Sequence, residues 1–97
     1  GEWAVVTGAS DGIGEGYARA LAKKGMNVIV MSRTQSKLDE LAENLRVRYR
    51  VQVRPLAFDF SQPLEAYDEL KRLFSSEDLK GKITVLINNV GGKIGIP

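Results

Sequence analysis

Three glycines stand at the spacing that holds an anion. Gly8, Gly12 and Gly14 punctuate the stretch Thr7-Gly8-Ala9-Ser10-Asp11-Gly12-Ile13-Gly14, which lies between a short apolar run and an amphipathic one. A turn of that composition lets the main chain close on a diphosphate, and the first N–H groups of the following helix, which have no partner within it, point at the charge. A nucleoside-triphosphate loop would need a lysine and then serine or threonine after the last glycine; here Gly14 is followed by Glu15 and Gly16. A second group with chemistry lies at the end of the next apolar run, Ser32-Arg33-Thr34. A carboxylate at that point would hydrogen-bond the ribose hydroxyls of NAD, and none is present. Arg33 instead offers a planar, permanently charged fork for a 2′-phosphate, so the expected ligand is NADP(H).

Composition narrows the rest. The 97 residues contain neither histidine nor cysteine, which excludes a Ser-His-Asp triad, thiolate catalysis, disulfides and the usual zinc sites, and no metal site is expected. A formal charge of +2 is too small to point to nucleic acid or an anionic membrane as the main partner. No apolar run reaches the length of a membrane helix. The chain opens at Gly1 without an initiator methionine and stops shortly after a glycine-rich turn, so residues 1–97 are expected to be one dinucleotide-binding segment of a longer protein.

The elements that must position these groups follow from periodicity. Trp3–Thr7 reads as a buried strand. A helix follows from Ile13 to the Lys23-Lys24-Gly25 stop, with Ile13, Tyr17, Ala20 and Leu21 as its apolar face. Asn27–Met31 is a second strand. Ser36 is the expected N-cap of a second helix, with Leu38, Leu41, Ala42 and Leu45 on one side and Asp39, Glu40 and Glu43 on the other. Between Arg46 and Arg54 a frayed helix end gives way to a third strand through Val51, Val53, Leu56 and Phe58. Ser61 and Pro63 open a third helix carrying Leu64, Tyr67, Leu70, Leu73 and Phe74. Ile83–Ile87 is the fourth strand. This β-α-β-α-β-α-β order predicts an α/β fold, the first half of a Rossmann-type doubly wound parallel sheet with strand order 3-2-1-4.

With those elements in place, the Thr-Gly-x-x-x-Gly-Ile-Gly turn, Asp59 after the third strand and Asn88-Asn89-Val90-Gly91 after the fourth resemble the short-chain dehydrogenase/reductase family over essentially the whole chain. The resemblance implies cofactor contacts from Gly8, Ser10, Asp11, Gly12, Ile13 and Gly14, from Ser32 and Arg33, and from Asp59 and Phe60 beside the adenine. It also implies that Asn89, Val90 and Gly91 steady the sheet next to the cofactor. In finer detail Trp3–Gly14, Met31-Ser32-Arg33-Thr34 and the valine of Asn-Asn-Val-Gly resemble the branch of very-long-chain 3-oxoacyl-CoA reductases and 17-beta-hydroxysteroid dehydrogenases. That branch implies hydride transfer between the nicotinamide and a carbonyl or secondary alcohol, an acyl or steroid substrate, an endoplasmic-reticulum membrane location through regions outside this chain, and a homo-oligomeric complete enzyme.

Family catalysis uses a serine and a tyrosine with a lysine four residues on. Tyr67 and Lys71 have that spacing, but they precede the Asn-Asn-Val-Gly turn, whereas the family's pair follows a fifth strand. Tyr67 therefore reads as core, Lys71 as solvated, and no catalytic residue is expected within the chain. Two other readings compete. A non-catalytic dinucleotide-binding module needs the same glycine turn, and a nucleic-acid surface along Arg46, Arg48, Arg50 and Arg54 lacks interleaved stacking aromatics beyond Tyr49.

Overall fold

The computed structural model describes residues 2–9, 12–59, 67–76, 79 and 81–87. Strands β1 (Trp3–Thr7), β2 (Asn27–Ser32), β3 (Val53–Ala57) and β4 (Ile83–Ile87) alternate with helices α1 (Gly12–Lys23), α2 (Gln35–Tyr49) and α3 (Tyr67–Phe74). All three pairings are parallel and the sheet runs β3-β2-β1-β4, as the element order requires. No described helix is long and apolar enough to cross a membrane.

Both faces of the sheet are covered, which is why β1 and β2 are nearly continuous in apolar residues rather than alternating with polar ones. On one face Val6, Val28 and Val30 pack with Ala18 and Ala22 of α1 and with Leu38, Leu41, Ala42 and Leu45 of α2. On the other Trp3, Val5, Ile29 and Met31 form a cluster with Leu79, against which Leu70, Leu73 and Phe74 of α3 pack. The amino ends of the strands are tied by main-chain and side-chain bonds. The Gln52 N–H donates to Asn27 Oδ1 at 3.0 Å, and the Trp3 N–H to the Lys82 carbonyl at 2.9 Å.

The expected apolar face of α1 is displaced. Ile13 and Tyr17 are exposed, at 69% and 47%, and the buried stripe is Gly14, Ala18 and Ala22. The physical reason is distance: a helix laid close on a strand buries its small residues and turns its large ones aside. Leu21 alone of the expected face reaches the core, half-buried. The cap of α2 also moves. Thr34, with extended backbone, is the N-cap and makes no side-chain capping bond, so Ser36 lies inside the first turn. At the other end α2 does not fray: it stays helical to Tyr49, and Arg50 closes it in the left-handed conformation, leaving β3 to start at Val53 rather than Val51. Ser61, Pro63 and Leu64, the expected start of the third helix, lie outside the described residues.

The stripe is directly testable. Ala18→Leu should destabilise the folded protein by about 1–3 kcal/mol through overpacking, while Val47→Ala, at a position 69% exposed, should change it by less than about 0.5 kcal/mol. Urea denaturation of the two variants checks both.

Candidate cofactor site

The groups singled out in the sequence gather at the carboxyl ends of the strands. Thr7 ends β1, and Gly8 turns the chain with φ 65°, a conformation in which a side chain is disfavoured. Ala9 is fully buried, and its N–H donates to the Met31 carbonyl at 2.9 Å. That bond fastens the loop after β1 to the last residues of β2, so the glycine turn and Ser32-Arg33 belong to one rim. Beyond it the Phe58 N–H donates to the Ser32 carbonyl at 2.8 Å, bringing the end of β3 and Asp59 to the same rim.

The glycines divide the work. A Cβ on Gly14 would overlap the carbonyl oxygen of Gly8, standing 2.7 Å from its carbon and 3.1 Å from Ala9 Cα. Gly14 is therefore what lets α1 seat its first turn on the loop. Gly12, by contrast, is exposed, and a Cβ there would meet nothing within 4 Å. One glycine closes the fold and another leaves room in front of the helix mouth. Ile13 follows Gly12 with its side chain in the open.

Ser32 is buried, and its Oγ accepts the Thr34 N–H at 3.1 Å. This small turn presents Arg33, which is exposed, just after the rim. Asp59 is half-buried and engaged with a partner. Ser10, Asp11, Phe60, Asn89, Val90 and Gly91 lie outside the described residues, although β4 ends at Ile87 with Ile87 paired to Val6, beside the exit of β1. Lys71 is exposed on α3. Among the described residues no group of acidic, histidine or cysteine side chains is placed to hold a metal ion.

A feature not anticipated from the sequence braces the rim. Arg19 bonds Glu15 Oε2 at 2.8 and 2.9 Å and donates to Asn44 Oδ1 at 2.9 Å, joining α1 to α2 behind the two helix mouths. The spacing of Glu15 and Arg19 is the i, i+4 ion pair of a helix and was readable. Its reach to Asn44, 25 residues away, depends on the helices being neighbours.

A family model described as short chain dehydrogenase matches residues 2–97. The chain belongs to the short chain dehydrogenase family. It is 51% identical over its whole length to a very-long-chain 3-oxoacyl-CoA reductase of Meyerozyma guilliermondii, of which it spans 28%. Among solved structures it resembles a short-chain dehydrogenase from Sphingobium yanoikuyae in complex with NADPH (TM-score 0.81, 34% identity, 93% of this chain and 34% of that one). It equally resembles L-sorbose reductase from Gluconobacter frateurii complexed with NADPH and L-sorbose (TM-score 0.81, 34% identity, 94% and 34%). The chain thus spans 28% of that curated relative and 34% of each of these two structures.

The division between the glycines gives a paired expectation. Gly14→Ala should lower stability by about 1–3 kcal/mol, because loop and helix must part. Gly12→Ala, which has space and a right-handed backbone, should leave it unchanged or raise it by up to about 1 kcal/mol. Thermal melts of the two variants decide.

Proposed function

We propose that this chain is the NADP(H)-binding part of an oxidoreductase that transfers hydride between the nicotinamide and a carbonyl or secondary alcohol, with 3-oxoacyl-CoA as the substrate class. The observation that carries the reading is the open space in front of Gly12 at the mouth of α1, held there by the close seating of Gly14 on Gly8. The residues present fit the cofactor. The first N–H groups of α1 face that space, and with the positive end of the helix dipole they supply donors and charge for a diphosphate.

Arg33 acts on the adenosine side. It is exposed at the end of β2 with no carboxylate in Ser32-Arg33-Thr34, so a 2′-phosphate gains a bidentate partner and meets no repulsion. Ser32 holds the turn that carries it. In the same reading Asp59 and Phe60 border the adenine, Ser10, Asp11 and Ile13 complete the turn around the phosphates, and Asn89, Val90 and Gly91 steady the sheet beside the cofactor. The nicotinamide, when bound, supplies the hydride. The chain's own residues bind and orient; the proton-transferring serine, tyrosine and lysine belong to the part of the enzyme beyond this segment. The acyl-CoA class is supported by the name of the Meyerozyma relative at 51% identity. The endoplasmic-reticulum membrane and a homo-oligomeric enzyme are the setting that goes with it.

In the enzyme containing this chain, Arg33→Ala should weaken NADPH binding by about 10–100-fold, the cost of a lost charge-assisted contact of about 1.5–3 kcal/mol, and leave NADH binding within about two-fold. Ser32→Asp should move preference the same way. Calorimetric titration with both nucleotides measures it, and an unchanged preference for NADPH in Arg33→Ala would overturn the assignment.

A further inference from the structure

The flank of α1 that faces away from α2 is apolar and bare. At about 100° per residue, Ile13, Tyr17, Ala20 and Leu21 fall on one side of the helix, opposite Glu15 and Arg19, through which α1 meets Asn44 of α2. Ile13, Tyr17 and Ala20 are exposed, and Leu21 is half-buried against the core. The sheet order puts β4 on that side, because α2 lies over β2 and β3, α1 over β1 and β2, and β4 is the next strand beyond β1. In register, Val85 pairs with Ala4 and Ile87 with Val6, and Val6 belongs to the cluster beneath α1. Two more apolar positions therefore lie on that face beyond the helix, and among the described residues no third helix covers them. A stripe at i, i+4, i+7 and i+8 beside an open sheet face is the seat of another helix.

The handedness of the crossovers says where that helix comes from. The units β1-α1-β2 and β2-α2-β3 step toward β3 and place their helices on one face, whereas β3-α3-β4 steps the other way and places α3 on the opposite face. A crossover continuing outward from β4 keeps the same hand and joins α3. The α1 flank is thereby left for a helix from later in the polypeptide. The stripe runs into the core at Leu21 instead of standing apart from it, which marks one core continued and not a contact between copies. The Meyerozyma relative, of which this chain spans 28%, has the length to supply the missing layer.

We propose that a helix of the same polypeptide, C-terminal to residue 97 and later than the crossover that leaves β4, packs in the groove between Ile13, Tyr17 and Ala20 of α1 and the face of β4 at positions 85 and 87. The helix whose mouth carries Gly12 is then held from both flanks, by Asn44 of α2 on one side and by the incoming helix on the other. The proposal shares with the functional reading only that this chain is part of a longer protein.

The test uses the protein containing this chain with Tyr17 replaced by p-azidophenylalanine, which is close to tyrosine in size. After irradiation, mass spectrometry of the cross-linked peptides should find attachment within one polypeptide, to a segment beyond the crossover that follows β4. In the unlabelled protein Tyr17→Ala should lower Tm by about 5 °C, as the loss of a buried aromatic does. Val47→Ala, at a position 69% exposed, should leave Tm unchanged. Should Tyr17→Ala fail to fold, the cross-link decides by itself. Cross-links between two copies, cross-links to the crossover directly after β4, no cross-link at all, or an unchanged Tm in Tyr17→Ala would each overturn the proposal. NADPH titration of the unlabelled protein reads the cofactor assignment separately, so failure of the one leaves the other standing.

Discussion

Everything at the cofactor end depends on one close approach, that of the first turn of α1 to the carbonyl of Gly8. A helix held off by even one methyl group would carry its N–H donors away from the strand ends, and the loop after β1 would lose the geometry that lets Ala9 bond Met31. The remaining small residues of the helix, Ala18 and Ala22, continue the same contact down the sheet. Shape at the mouth and packing in the core are therefore one constraint, imposed every fourth residue along a single stripe. The exposure of Ile13 and Tyr17 follows from it, because a helix seated on its smallest side has nowhere inside to put its largest groups.

Much of the architecture was legible. Runs such as Val28-Ile29-Val30-Met31, with apolar residues on both faces, mark strands of a parallel sheet covered on each side, and the alternation with helices leaves little choice of strand order. The glycine turn was legible because its position between strand and helix gives the spacing a meaning that the three residues alone lack.

What was missed was missed for physical reasons. A helix wheel assigns the core to the largest apolar groups, and that is the wrong weighting where a helix lies against backbone; the spacing of Gly14, Ala18 and Ala22 was visible but looked featureless. Ser36 is a better cap by type than Thr34, yet the turn in which Ser32 accepts the Thr34 N–H sets where the helix can begin. From Arg46 to Arg54 valine and arginine alternate, a strand-like pattern, and the chain is nonetheless helical to Tyr49 because Leu38, Leu41 and Leu45 already commit that helix to the core. The brace from Arg19 to Asn44 joins residues whose proximity exists only once the crossover is formed.

The single tryptophan of this chain is sealed at the amino end of β1, with a guanidinium stacked upon it. Its fluorescence is thereby a gauge of the hemisphere remote from the nucleotide rim. Quenching by occupancy would have to travel the length of a strand, so a spectral response of this indole speaks of the packing between the amino end of β1 and the arginine, while the arrival of ligand is better followed by heat or by the optical signal of the nucleotide itself.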